Sequence, residues 1–551
     1  MEPLKIIPLG GLGEFGLNMM LVEYGGAAIA IDCGLMFPGA DLLGIDLVIP
    51  DVSYLMEKKD RLKGIVLSHA HEDHVGALPY ILNHFSVPIF GTRLTLGLVT
   101  NKLREHRLED IADIREITAG RPWEIEPFRL EGIRVTHSLM DCLALAIETP
   151  VGTVIHTGDF KIDNTPMEGE MFDFQRFAAY GEKGVLLLLS DSTNVERSGY
   201  TPSEREVGKN LEQIFRESMG KILVSTFSSN IPRIQQVADI SESCGRRVVL
   251  SGRSMIRNSQ VASELGYLRL PKNFMTESER WHELPPDRLT FLTTGSQGEP
   301  LSVLHRVALD DHKSLKVDPG DTVILSSKFI PGNEKSIANL INHFYRRGAE
   351  VHYEKVSEIH VSGHASQEEL KTMLQLTRPR YFVPIHGEYR HLVRHRRLAR
   401  DVGVAEDHCF ILEDGDVLEM TATSAKKVQP VQVGRVFVDG KGVGDVEDVV
   451  IRDRRHLSED GMVLAIMAIH QQSGEIVAGP DLVSRGFMRN EEGEEILEQA
   501  RKVVLDILSG MNRETRTDPA ELQEEVRKAL RRYFRKRLDR HPVVLPYIIA
   551  T

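Results

Sequence analysis

The chain lacks any apolar run approaching the ~18 residues of a membrane span, and its start, MEPLKIIPLGG, has no basic stretch leading into an apolar core. Neither a membrane protein nor a secreted one is expected, and a cytoplasmic location follows. Cysteine is scarce: Cys33, Cys142, Cys244 and Cys409 are the only four, far apart and with no CxxC spacing. Neither a disulfide framework nor a thiolate zinc site is suggested, and the four read as core residues. An excess of positive charge is also missing. The net charge of −13 argues against blanket binding to nucleic acid, so any phosphate contact has to come from a local basic channel or from metal cations. Two basic runs, RHLVRHRRLAR from Arg390 and RKALRRYFRKRLDRH from Arg527, are candidate patches or solvated helix faces. There are no internal repeats and no low-complexity segment.

With 551 residues, 41% of them hydrophobic and 27% charged, the chain has the composition of a folded protein of two or three domains. Through about residue 197, short apolar runs (KIIPLGG, NMMLVEY, AAIAIDCG, GIVLSH, LALAIETP) alternate with glycine-rich turns, as in stacked sheets with ligand-bearing loops. Over 198–356 helical stretches such as SEREVGKNLEQIF alternate with buried strands such as KILVSTF, RVVLSG and DTVILSS, the pattern of a parallel α/β unit. Loop-borne histidines return over 357–425 in EIHVSGHAS and YFVPIHGEYRH. The α/β unit is therefore expected to be an insertion into the first domain. Residues 426–446 look like a linker, and 447–551 like a small α+β tail domain.

What the chain does have in quantity is ligand chemistry, concentrated in LSHAHEDHVGALP. KGIVLSHAHEDHVGALPYIL reads as a buried strand, a short loop and a helix start. His69 and His71, at i and i+2, point the same way, while Asp73 and His74 turn onto the helix and face a neighbouring position. One short segment can therefore hold two adjacent cations. Imidazole nitrogen suits zinc, carboxylate oxygen suits zinc or manganese, and a carboxylate can bridge a pair. The remaining donors have to come from other loops: His137 in VTHSLMD, Asp159 in IHTGDF and His386 in FVPIHGE all close apolar strand-like runs.

HAHEDH, Asp32 in IDCG, THS and HTGDF resemble the motifs of the metallo-β-lactamase fold. SDSTN with Asp191, GHAS with His364 and PIHGE with His386 resemble the three further motifs of its β-CASP branch of nucleic-acid-cutting enzymes. LGGLGEFGLN, LLGIDLVIPD, STFSSN and HVSGHAS are similar to bacterial ribonuclease J in particular, over nearly the full length. The resemblance implies an α/β protein: a metallo-β-lactamase αββα sandwich with an inserted β-CASP α/β domain and a small α+β C-terminal domain. It implies that His69, His71, His137 and Asp159 hold one zinc and that Asp73, His74, His386 and the bridging Asp159 hold the second, with Mn²⁺ or Mg²⁺ as alternative cations. Asp32 would orient ligands without binding metal. The implied activity is a zinc-dependent ribonuclease with endonuclease and 5′-to-3′ exonuclease action in RNA maturation and mRNA decay, preferring a 5′-monophosphate. Homodimers or homotetramers and RNA-decay protein partners are implied with it.

Within that frame the catalytic candidates are Asp73, His364 and Asp191, with His364 as the general acid and Asp191 orienting it and favouring its charged form. Ser366 with Glu369 spells a capping box, so HVSGHA runs into a helix N-terminus, which attracts anions. Ser228, Ser229 and Asn230 in STFSSNIPRIQQ repeat that arrangement. The resemblance makes Ser228, Ser229 and Asn230, together with His360, Val361, Ser362, Gly363 and His364, substrate contacts; ordinary turn chemistry is the alternative. It also implies a structural calcium ion at Gly44, Asp46 and Asp439, residues that could equally be caps or turns. Gly11, Gly13 and Gly16 spell GxGxxG, but no long helix follows, so a dinucleotide site is not expected. His156 is out of phase with Asp159 and is read as structural. Competing readings are a DNA-directed nuclease on the same scaffold, a thioester or lactam hydrolase, and a metal-binding RNA scaffold without catalysis.

Overall fold

The computed structural model describes residues 2–551 apart from 40, 168–169, 273, 277–278, 300–301, 330–332, 447 and 489, and for 490–492 the backbone alone. The expected tail boundary at Glu447 lies outside the described residues. Two compact units emerge: one spans residues 1–37 and 47–436, the other 38–46 and 437–551.

In the first unit an eight-stranded sheet runs in the order Ala425–Val428, Val417–Met420, Leu4–Gly10, Met19–Tyr24, Ala27–Ile31, Leu62–Val66, Ile89–Gly91, Ile114–Glu116. A six-stranded sheet follows the order Tyr381–Ile385, Val185–Asp191, Thr153–His156, Leu143–Glu148, Phe128–Arg134, Trp123–Ile125. One apolar cluster is shared between them, with Ile6, Val22, Ile29 and Val66 on one side and Leu130, Leu145, Val154, Leu187 and Val383 on the other. Burial of these faces against each other makes the expected sandwich.

The insertion is visible in the pairing. Val185–Asp191 and Tyr381–Ile385 are parallel neighbours, with Asp191 beside Ile385, although nearly two hundred residues separate them in sequence. Between them lies a third, six-stranded sheet whose pairings are all parallel, with helices Glu204–Glu217, Ile231–Ser243, Arg253–Glu264 and Glu334–Arg346 in the crossovers. Strand ends and their following loops are where such sheets collect functional groups. Asp191 and His386 therefore leave adjacent strands side by side.

The second unit packs helices Asn490–Gly510 and Pro519–Leu538 on a sheet of Ile476–Arg485, Met462–Ile469 and Val543–Ala550. Buried and half-buried positions alternate along Met462–Ile469, so one sheet face meets the helices. Leu545, Tyr547 and Ile549 stay exposed. The stretch expected as a linker is partly ordered: Ala425–Val428 pairs with Val417–Met420 as the edge of the large sheet, and Arg435–Asp439 is a strand. The division into units falls after Val436, and residues 38–46 join the tail. Hydrogen bonds from Asp46 N–H to the Val438 carbonyl, and from Gly440 N–H to Asp46 Oδ2, account for that association.

Candidate metal centre

Leu62–Val66 leads directly into Ser68, His69 and His71, and the turn Glu72–Val75 then carries Asp73 and His74. His69 Nε2 lies 3.0 Å from His71 Nδ1, which lies 3.2 Å from His137 Nε2. Asp159 Oδ2 is 3.7 Å from His69 Nε2, 3.3 Å from His74 Nε2 and 3.6 Å from His386 Nε2. Asp73 Oδ2 is 3.4 Å from His386 Nε2 and 3.6 Å from His74 Nε2. The seven residues thus form two groups, His69, His71, His137, Asp159 and Asp73, His74, Asp159, His386, with donor atoms within 4.8 Å of one another in each. Asp159 belongs to both.

The surroundings suit metal ligation. Burial and the neighbouring imidazoles of His74 and His71 hold His69 well below its ordinary pKa; burial and the imidazoles of His71 and His364 do the same to His137. Burial brings His71 down to about 4. These rings are neutral, as a ligand must be. His74 and His386 behave oppositely. Burial works against their charge, but Asp159, Asp73 and Asp32 keep His74 well above its usual value, and Asp159, Asp73 and Asp191 push His386 up to about 9. Without a cation, imidazolium balances the carboxylates. Despite its burial, Asp159 is held well below the carboxylate range by His386 and His74.

Several of the ligands are oriented from behind, the arrangement that fixes an imidazole tautomer. Asp32, at the end of Ala27–Ile31 with φ 61°, accepts from the Ser68 amide and hydroxyl at 2.7 and 2.8 Å and from His74 Nδ1 at 2.7 Å. His137 Nδ1 donates to the Gly363 carbonyl at 2.7 Å. A side chain at Gly363 would come within 2.5 Å of that ring, so only glycine fits there. His364 Nδ1 is 2.8 Å from Asp191 Oδ2, while its carbonyl accepts from Asn194 and Thr201. A third donor group, Asp159, Asp191, His364 and His386, overlaps the second. In it, Asp191 and His364 already satisfy each other.

The glycine turn does what its spacing alone left open. Gly11, Gly13 and Gly16 all have positive φ, and a Cβ on Gly11 would meet Asn18 Oδ1 at 2.5 Å. Asn18 donates through Nδ2 to the Asp73 carbonyl at 2.9 Å, so the turn braces the metal loop. His156 is buried and accepts from the Gly158 amide through Nδ1, shaping the loop that carries Asp159.

The candidate substrate segments meet through Arg233, a fully buried residue that the sequence reading missed. It donates to the Ile359 carbonyl at 2.6 Å and pairs with Glu204. Asn230 caps its own helix by accepting from the Arg233 amide, and Ser228 Oγ accepts from Asn258. Ser229 is half-buried. His360 Nδ1 is buried with no partner among the described residues, and burial with the Arg233 charge lowers its pKa to about 3. Val361 and Ser362 are buried. The capping box forms: Glu369 accepts from the Ser366, Thr201 and Ile162 amides, which locks the loop of His364 to two other segments.

Of the two basic runs, the one from Arg390 is largely neutralised. Arg390 and Arg394 pair with Glu196, and Arg396 and Arg400 with Glu406. At the expected calcium position, the Arg454 guanidinium donates to the Leu43 carbonyl at 3.0 Å, pairs with Asp439, and lies 2.7 Å from where a Cβ on Gly44 would be. Asp46 is occupied with the Gly440 amide. Of the three residues expected to hold calcium, Asp439 is thus already paired with a guanidinium.

Comparison with known proteins gives the same picture from outside. Family profiles match for the metallo-beta-lactamase superfamily (residues 12–190), the ribonuclease J beta-CASP domain (219–344), the Zn-dependent metallo-hydrolase RNA specificity domain (348–412) and the ribonuclease J C-terminal domain (449–551). The chain is 42% identical to a ribonuclease J of Thermus thermophilus over all of its own length and 95% of the relative. It is 40% identical to a ribonuclease J of Helicobacter pylori over 98% of this chain and 79% of the relative, and 37% identical to ribonuclease J2 of Bacillus subtilis over 100% and 99%. A solved structure of a protein of unknown function from Enterococcus faecalis superposes with a TM-score of 0.52 at 16% identity, over 76% of this chain and all of that one, a likeness of fold alone. With relatives of this similarity along its whole length and a buried imidazole–carboxylate cavity at its sheet ends, the chain belongs to the ribonuclease J family and is a metal-dependent ribonuclease.

Proposed function

We propose that this chain cleaves RNA both internally and exonucleolytically from the 5′ end, using two cations, zinc by preference, in RNA maturation and mRNA decay in the cytoplasm. The observation that carries the reading is the sharing of Asp159 between two donor groups, with His364 alongside. Two divalent cations bound there supply water activation at neutral pH and charge neutralisation at a phosphodiester. His69, His71 and His137 would hold one, Asp73, His74 and His386 the other, with Asp159 between them.

The protein's own groups do the rest. With Nδ1 engaged by Asp191, His364 presents Nε2 outward and can give a proton to the leaving 3′ oxygen. His360 and the Ser228–Asn230 turn, joined through Arg233, support a pocket for a 5′-monophosphate. The half-exposed apolar sheet of the tail supports a homodimer or homotetramer: Tyr547→Glu is expected to yield a smaller species by light scattering, and unchanged mass would refute that assembly. The activity test is end-labelled RNA with and without chelator, using His71→Ala as control; wild-type cleavage by His71→Ala would end the proposal. Faster decay of 5′-monophosphate than of 5′-triphosphate RNA is expected, and equal rates would remove the pocket.

A further inference from the structure

Two of the candidate ligands are backed by hydroxyl groups, and in both cases the hydroxyl stands between the imidazole and a carboxylate. Ser68 Oγ is 2.8 Å from Asp32 Oδ2 and 3.0 Å from His69 Nδ1. Thr193 Oγ1 is 2.8 Å from Asp191 Oδ1 and 2.7 Å from His386 Nδ1. The carboxylate of each pair also holds a second imidazole directly: Asp32 holds His74, and Asp191 holds His364. The first pair thus backs one ligand from each cation group, and the second pair backs a ligand of one group together with His364.

A hydroxyl carries one hydrogen. Asp191 is an acceptor on both oxygens, since its Oδ1 also takes the Thr193 amide at 2.9 Å and its Oδ2 takes His364 Nδ1. Thr193 therefore donates its hydrogen to Asp191, and only a lone pair remains for His386. The hydrogen between Thr193 and His386 then has to sit on Nδ1. That leaves Nε2, 3.4 Å from Asp73 and 3.6 Å from Asp159, as the nitrogen with the free lone pair when the ring is neutral.

We propose that Thr193 is a positioning residue: its hydroxyl sets the tautomer of His386 that binds the second cation and, through Asp191, ties that ligand to the proton donor His364. The inference rests on the two-cation reading above. No part of the sequence pattern announces it, because a threonine two residues after an aspartate reads as ordinary Asx-turn chemistry.

Thr193→Val keeps the volume and removes the hydroxyl; Thr193→Ser keeps the hydroxyl. Titrating metal-stripped full-length protein with Zn²⁺ against a chromophoric chelator resolves two binding steps. Supporting partners of this kind are worth about 10- to 100-fold in affinity, so Thr193→Val is expected to weaken the second step by that factor, leave the first unchanged, and be rescued by Thr193→Ser. The first step reports that the fold is intact. Equal weakening of both steps, wild-type affinity at both, or failure of serine to rescue overturns the assignment. Uptake of fewer than two ions by the wild type would instead overturn the two-cation reading on which it stands.

Discussion

Two clusters of donor atoms in this chain were expected to hold metal, and they differ in what balances their charge. Among the described residues, the cationic groups around Asp159 are imidazoles, which give up a proton when a metal arrives. Around Asp439 the balancing group is Arg454, which stays charged at any physiological pH. The first cluster can exchange protons for a divalent ion. The second has its cation covalently supplied. Donor identity alone does not make a metal site; what occupies the space among the donors decides.

Asp159 is where the two clusters are most directly told apart. Asp159→Asn is expected to lower bound metal and RNA cleavage together, by at least the ~100-fold that even a supporting residue can command, whereas Asp439→Asn should leave both unchanged; elemental analysis with a cleavage assay checks the pair. His364→Ala comes next. It should cost about 10²- to 10⁴-fold in cleavage, the usual worth of a general acid, with metal content intact.

A third acid sharpens the contrast through pH. Asp414 has no imidazole beside it among the described residues: burial and the charge of Glu14 push its pKa up to about 7 from 3.8. The fold is penalised for ionising it, so the penalty is absent below about pH 4, grows as pH rises, and is complete above about 7. Asp414→Asn keeps an acceptor for the Leu12 amide and should raise the melting temperature more at pH 8 than at pH 5. The smallest effect is expected at Arg454. Its pair with Asp439 is about one third exposed on both sides, so Arg454→Ala should cost no more than about 1 kcal/mol. Ca²⁺ should not shift the melting of the wild type, and a calcium-dependent rise confined to Arg454→Ala would show that the guanidinium stands in for the ion.

How much of this was legible follows the same division. HAHEDH announces itself because costly groups crowd one loop, and strand-end positions pointed to His137, Asp159 and His386. The inserted parallel sheet was readable from alternating helices and buried strands. The hidden parts depend on approach between distant segments: Asn18 reaching Asp73, Arg233 reaching Ile359, Thr193 reaching His386, and Arg454 reaching Leu43. A lone asparagine, threonine or arginine carries no local signal of such a role. Residues 38–46 join the tail for the same reason, through amide hydrogen bonds that no periodicity encodes.

The proposed RNA-cutting centre requires Asp159 to serve two cations at once. Counting metal per chain while following cleavage of 5′-monophosphorylated, end-labelled RNA tests it. Loss of cleavage as a chelator removes the ions, and recovery only when two per chain are restored, is the predicted result; full-rate cleavage by protein stripped of metal, or recovery complete at one ion per chain, would contradict it.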